Sequence, residues 1–378
     1  MQKINGISRS IVDRLLERTN SLSQGRNAGC IGLINKDRII DSVTPIVDGG
    51  ISGLPLRQLL NKVINLSGRP ILEGINALPE DDAVLITTRP GKSGLITDVS
   101  AVDFFNLPIV SIGIKMGKVA GVGILYPETR FFDLGTESEA VDLDILAAKD
   151  MEEEREILRR STELSLEFLD IAQPLPVVDV PERSWQFRGE NELSLPRLTV
   201  NSLDKALAEE MVARSVQVGQ GREVAMVARI DKDGKVRAYG QVVAGGMGYV
   251  PSRILASSAV ELKGTSLREA YVHHIPPEAI IVHTHPGATG VMHVGDATAG
   301  PGTWGRPIIA IGHDREGKVR GATVVEVTDK LFELADEDEK LGLDFFTADT
   351  PEEEADIRNR KFGIAQEYTS LCKPIEIN

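Results

Sequence analysis

The sequence predicts an α/β protein made of two tandem domains, each a mixed sheet flanked by helices. Three observations carry that expectation. The same ordered blocks occur twice, apolar strand-length runs alternate with amphipathic helix-length segments, and a proline-rich stretch separates the two copies.

The first copy begins with the amphipathic segment Ile11 to Leu16, then Gln24-Gly25-Arg26 and the apolar run Cys30 to Ile34. The second begins with Leu203 to Val212, then Gln220-Gly221-Arg222, a shift of 196 positions from 24 to 220, and the run Val224 to Val227. The same shift carries Val84-Leu85-Ile86-Thr87-Thr88-Arg89-Pro90-Gly91 onto Ile280-Ile281-Val282-His283-Thr284-His285-Pro286-Gly287, and Gly94 onto Gly290. Further along, Pro108 to Gly113 matches Pro307 to Gly312, and Gly117-Lys118-Val119 matches Gly317-Lys318-Val319. Each of these pairs reads as strand, turn, strand. Glu152-Glu153-Glu154 with Ile157 and Arg160 returns as Glu352-Glu353-Glu354 with Ile357 and Arg360. The second of these follows Thr350-Pro351, a cap residue and a first-turn proline, with acids well placed against the helix dipole. Any single block is within the reach of chance. Blocks in one order, with shifts drifting only from 196 to 200, argue for duplication.

These blocks set the expected boundaries: a first domain over 1–172, a proline-rich linker over 173–200, and a second domain over 201–378. The linker runs from Gln173-Pro174-Leu175-Pro176 to beyond Pro196, and Trp185 and Phe187 within it are expected to pack on a neighbouring surface. The two domains are expected to pair within the chain.

Composition limits the function classes. With 378 residues, 42% hydrophobic and 26% charged, the chain can bury real cores. The net charge of −14, from 56 acids against 42 bases, opposes binding to nucleic acid or anionic membrane, so neither is expected as a partner. Two cysteines, Cys30 and Cys372, supply neither a disulfide framework nor a thiolate zinc site. Met1 to Gly6 leads straight into a helical pattern without a signal-peptide core, and no apolar run is long enough to span a bilayer. The chain reads as cytoplasmic.

All six histidines lie between His273 and His313, in the second copy. His283 and His285 flank Thr284 at the end of an apolar run, and alternate residues of a strand face the same side, so both imidazoles can reach one ion. Asp296 follows after a glycine-punctuated loop that can bring a carboxylate back. Two nitrogens and one oxygen make the ligand set typical of catalytic zinc, with a fourth position for water. Zinc at such a site lowers the pKa of that water and polarises a carbonyl. The same donors also suit iron, nickel or manganese.

His283-x-His285-Pro286 followed by His293-x-x-Asp296 resembles the JAMM motif of MPN+ metallohydrolases. The resemblance implies a JAB-like fold, similar to cytidine deaminase, in both copies, and one Zn²⁺ held by His283, His285 and Asp296. It also implies that Glu223, at the head of the apolar strand, is the general base. Glu261, Glu269 and Glu278 fall in helices or connections by pattern and fit that role less well. Where the family carries serine this chain has His293, which leaves three roles open: oxyanion donor, additional ligand or bystander. By the 196-residue shift the first copy offers Asn27, Thr87, Arg89 and Ser100 in place of Glu223, His283, His285 and Asp296, and so resembles a metal-free MPN− domain.

The activity implied is zinc-dependent hydrolysis of amide or isopeptide bonds, with a ubiquitin-like or sulfur-carrier protein tail entering extended along a sheet edge. Two other readings stand beside it: another metal-dependent hydrolysis in which His293 alters the site, and a binding scaffold stabilised by its ion. His273 and His274 are expected to be structural or exposed, and His313, at the turn Gly312-His313-Asp314, to face solvent. Gly245-Gly246-Met247-Gly248 lacks the lysine and strand-to-helix context of a phosphate loop and is expected to be a flexible loop beside the cleft.

Overall fold

The structure, a computed structural model, describes residues 3–22, 24–51, 53–94, 100–186, 193–287, 289–292 and 294–378. The strands of the first half are β1 (Gly6–Ser8), β2 (Ala28–Ile34), β3 (Ile39–Val43), β4 (Val47–Asp48), β5 (Ala83–Pro90), β6 (Ile109–Lys115), β7 (Lys118–Leu125), β8 (Gln173–Pro174) and β9 (Val177–Val178). Those of the second are β10 (Ser202–Leu203), β11 (Val224–Ile230), β12 (Lys235–Ala238), β13 (Val243–Ala244), β14 (Ala279–Pro286), β15 (Ile308–His313), β16 (Val319–Val325), β17 (Lys373–Pro374) and β18 (Glu376–Ile377). They form two nine-stranded mixed sheets. The first runs β8-β7-β6-β5-β2-β3-β1-β9 with β4 paired to β2, and the second β17-β16-β15-β14-β11-β12-β10-β18 with β13 paired to β11.

Strand for strand, the two orders are the same, and so are the registers except between β2 and β3, where an irregularity at Leu33/Ile34 has no counterpart between β11 and β12. Cys30 faces Ile86 across antiparallel β2 and β5 as Met226 faces Val282 across β11 and β14. Leu85 pairs with Ile109 across parallel β5 and β6 as Ile281 pairs with Ile308 across β14 and β15. Even the irregularity recurs, at Gly113/Ile114 and Gly312/His313. Gly94 and Gly290, matched in sequence, both take a left-handed conformation, φ 93° and 84°. A side chain at Gly94 would lie 2.4 Å from the Gly121 carbonyl and one at Gly290 2.7 Å from that of Ala310, so only glycine fits.

The helices are α1 (Arg9–Ser21), α2 (Leu56–Leu60), α3 (Ile71–Asn76), α4 (Ser100–Phe105), α5 (Thr129–Ile145), α6 (Met151–Ile171), α7 (Lys205–Val218), α8 (Ser252–Ser257), α9 (Leu267–Glu269), α10 (Val294–Ala297), α11 (Asp329–Asp344) and α12 (Pro351–Ser370). Wide π-type turns continue α9 over Ala270–His274 and α10 over Thr298–Trp304. The acidic helix starts form as their sequences predict. Asp150 caps α6 by accepting from the amides of Glu152 and Glu153, and Thr350 caps α12 by accepting from that of Glu353. No helix among the described residues is long and apolar enough to cross a membrane.

The central strands are buried on both faces because helices and loops cover each side, which is why they read as continuous apolar runs. One core, with Ile11, Val12 and Leu15 of α1 against Cys30, Ile86 and Ile112, has its counterpart in Leu207, Met211 and Val212 of α7 against Met226, Val282 and Ile311. The core on the other side of the second sheet takes in Leu72 from the first half.

The start of the expected linker is not linker. Gln173–Pro174 pairs with β7 and Val177–Val178 with β1, as Lys373–Pro374 pairs with β16 and Glu376–Ile377 with β10. Proline was the misleading signal, because at an edge its missing N–H costs no ladder bond. Beyond these strands, Arg183 holds the buried Asp41 carboxylate through Nε at 2.9 and 2.8 Å, and half-buried Trp185 packs on the core of the first sheet's other face, which includes Ile31, Leu85 and Ile109. Phe187 lies outside the described residues.

Candidate metal centre

β14 delivers two of the expected ligands. Its alternation points Ile281, His283 and His285 to one face of the sheet, and the parallel pairing of His283 with Ala310 and of His285 with Gly312 leaves room above them. Between them Thr284 is turned to the other side and fully buried. Its Oγ1 accepts from the Val224 amide at 3.0 Å, as Thr88 accepts from that of Ala28 at 2.8 Å in the first half. This bond locks the end of β14 to the head of β11.

Asp296 arrives on α10, directly after the loop that leaves β14, with its side chain 21% exposed. The Nε2 atoms of His283 and His285 are 2.9 Å apart. Asp296 Oδ1 lies 3.3 Å from the first and Oδ2 3.6 Å from the second. Donor atoms held ~2.0–2.1 Å from a tetrahedral zinc stand roughly 3.3 Å from one another, and the two imidazoles and the carboxylate converge at comparable range, with a different carboxylate oxygen nearest each ring. Among the described residues these three are the group whose donor atoms can hold a metal ion, all lying within 4.8 Å of one another.

Glu223 comes to the same place from β11. Its side chain is buried, and Oε1 lies 4.0 Å from His285 Nε2. Its backbone is fixed by bonds from Glu223 N to Gly246 O at 2.9 Å and from Gly245 N to Glu223 O at 2.8 Å. The glycine loop is thereby placed beside the cleft, and Gly248 lines it. Burial on its own would disfavour a charged His283. The hydrogen bond and charge of Asp296, with the charge of Glu223 behind them, outweigh it and raise the imidazole's pKa above its ordinary value. The acids around the ring thus favour positive charge there, which is also what a cation requires.

No protein-family model, curated protein or solved structure matches the chain. What the site can do therefore rests on its own geometry.

In the first half, Thr87 is buried and Arg89 half-buried at the positions of His283 and His285, and Asn27 is buried at that of Glu223. The side chain of Ser100, like His293, lies outside the described residues. His273 and His274 are exposed, on the wide turn after α9. His313 is not where the turn signal placed it. It is the last residue of β15, 3% exposed, with Nε2 2.9 Å from Ser215 Oγ and Nδ1 2.8 Å from the Asp314 carbonyl. The turn begins one residue later, and α7 covers the ring.

Sequence reasoning missed the cavity that opens from the ligands. It has a volume of about 500 Å³ and is bounded by β11, β14, α8, and α10 with its wide turn, Trp304 among its walls. Spacing within a motif carries no information about walls that come from elements tens of residues away.

Proposed function

We propose that the protein is a zinc-dependent hydrolase of amide or isopeptide bonds, with the second half a JAMM-type catalytic domain and the first its metal-free partner. The observation that carries this reading is the buried Glu223 carboxylate at the edge of a His283, His285 and Asp296 set whose donor atoms lie within 4.8 Å of one another. Three protein ligands with a fourth position facing a cavity is the arrangement of a catalytic rather than a structural zinc. When bound, zinc supplies Lewis acidity to a carbonyl oxygen and to a water molecule.

The remaining work falls to the chain's own residues. His283 and His285 are held by β14, and the Thr284 bond to β11 fixes that strand end, so the donor set is preorganised. Glu223 accepts the proton of the attacking water at Oε1. As the C–N bond breaks, it returns that proton to the leaving nitrogen. Burial of Glu223 keeps this exchange out of bulk solvent. The acyl partner enters as an extended chain, the mode that a protein tail would use.

The test is Glu223→Gln on zinc-loaded protein, assayed with a panel of peptidyl-aminocoumarin amides. Zinc content stays at the parent's value while turnover falls ~10²–10⁴-fold, the usual contribution of a positioned acid–base group. Turnover equal to the parent's would remove Glu223 from the mechanism and the hydrolase reading with it.

A further inference from the structure

We propose that the substrate carries a bulky apolar group on the carbonyl side of the bond that is cut, and that this group fills the cavity beside the ligands. The proposal rests on the hydrolase reading and narrows its substrate class, from any extended tail to one that does not end in bare glycine at this position.

Strand register places the cavity next to the chemistry. On β14, Ile281 stands on the same face as His283 and His285, and parallel pairing sets Ile308 beside Ile281 while antiparallel pairing sets Ala225 beside His283. The metal site and an apolar floor are thus successive positions on one sheet face. Leu255 of α8 and Trp304 close the sides. A volume of about 500 Å³ lies within the ~300–1,000 Å³ typical of sites for small groups, with the usual mixture of apolar walls and a few convergent polar atoms.

The two halves differ at this wall. Ala225 corresponds to Gly29 and Val250 to Leu54 by the 196-residue shift. In the first half Leu54 lies over the strand, so that a side chain placed at Gly29 would come within 2.3 Å of Leu54 Cδ1. In the second half Ala225 and Val250 stand at these positions, and both line the cavity. On its rim Gly295 would meet nothing within 4 Å if it carried a side chain, and Ala299, one turn further on, is exposed. Small residues therefore keep the entrance open beside the metal ligands. An apolar group is the occupant that such walls favour, since polar groups left without partners there lose their hydration.

The experiment uses the zinc-loaded full chain and two acids that mimic the acyl product, acetate and 3-phenylpropanoate, with binding read by calorimetry and by Trp304 fluorescence. Zinc content is measured first. The expected result is that 3-phenylpropanoate binds on the order of 100-fold more tightly than acetate, the range a good apolar pocket discriminates. Ala299→Leu and, separately, Gly295→Leu at the rim reduce that ratio by at least about tenfold. Because a ratio is read, a change at the metal that affects both acids alike cancels. Zinc bound with no preference between the acids, or a preference that neither rim variant alters, overturns the inference and leaves the hydrolase reading standing. Protein that binds no zinc overturns both.

Discussion

Glu139 and Arg253 meet across the two halves: Glu139 Oε2 accepts from the backbone amides of Arg253 and Ile254 at 2.9 and 3.0 Å, at the first turn of α8. Glu339 does the same to Arg57 and Gln58 at the first turn of α2, at 3.0 and 2.8 Å. Both short helices follow a proline and have no side-chain cap of their own, so in each case the carboxylate that satisfies the open N–H groups comes from the other half. The arginine side chains are equally reciprocal. Arg253 binds Asp103 at 2.6 Å and the carbonyls of Leu262 and Thr265, and Arg57 binds Asp336 at 2.6 Å and the carbonyls of Leu66 and Arg69. Since Ser252 and Leu255 of α8 line the cavity, the first half helps to hold a wall of the candidate site.

This contact makes stability depend on pH. Burial pushes Glu139 up to about 7 and Asp103 up to about 6, partly offset by their hydrogen bonds and by the charge of Arg253. The folded protein therefore retains protons that the unfolded chain releases near pH 4. The stability tied to these groups is complete below that value and is lost as pH rises through 6 and 7. Glu139→Gln keeps an acceptor and loses the titration. In urea unfolding, the parent should lose on the order of 2 kcal/mol relative to this variant between pH 4.5 and 8. Parallel pH profiles for the two would show that Glu139 does not titrate in this range.

The two buried arginines should differ in their consequences. Replacing either by methionine strands buried carbonyls and leaves a carboxylate without its partner, a loss of about 3 kcal/mol for Arg253, whose Asp103 is buried, and a smaller one for Arg57, whose Asp336 is 40% exposed. Arg253→Met should also weaken binding of 3-phenylpropanoate, since α8 walls the cavity, whereas Arg57→Met should not. Denaturation midpoints and calorimetry on the same samples check both. Equal effects on ligand binding would mean that α8 placement does not depend on its arginine.

Much of this was legible in the sequence. The repeat foretold two sheets of the same strand order, and the spacing of His283, His285 and Asp296 foretold a cluster that does form, because a strand's two-residue period fixes which side chains share a face. Glu223 was singled out by the resemblance to the JAMM motif, and nothing local indicated that it would be buried beside His285. The failures have physical causes too. His313 looks like a turn residue because glycine and aspartate flank it, but strand pairing runs one residue further and α7 covers the ring. Proline at 174 and 176 suggested a linker, yet Pro174 sits in an edge strand, which tolerates it, and Pro176 falls between two such strands. The reciprocal carboxylate caps, which join residues more than 100 positions apart, leave no periodic or motif signal.

Thr284 offers a test of preorganisation. Its hydroxyl is the acceptor for the Val224 amide, and valine keeps the shape while leaving that buried donor unmet. Thr284→Val should cost about 1–3 kcal/mol and loosen the donor set, whereas Thr88→Val in the first half should cost a similar amount without touching metal affinity. Thermal unfolding and zinc titration of the two variants separate these effects. A Thr284→Val protein with undiminished zinc affinity would show that the strand lock is structural only.

Removal of the metal should be visible in the folding equilibrium. Zinc that binds only the folded chain adds ~2.7 kcal/mol of stability at a free concentration one hundred times its dissociation constant. Chelation should lower the parent's Tm and leave that of Asp296→Ala unchanged. A Tm that ignores chelator in both would place the ion, if bound at all, elsewhere.

The most direct test is elemental analysis of purified protein dialysed against trace zinc, with His283→Ala and His285→Ala handled in parallel. One zinc per chain in the parent and a stoichiometry near zero in both variants is the predicted result. Zinc retained by either variant at the parent's level, or absent from the parent, would contradict the assignment of His283, His285 and Asp296 as ligands.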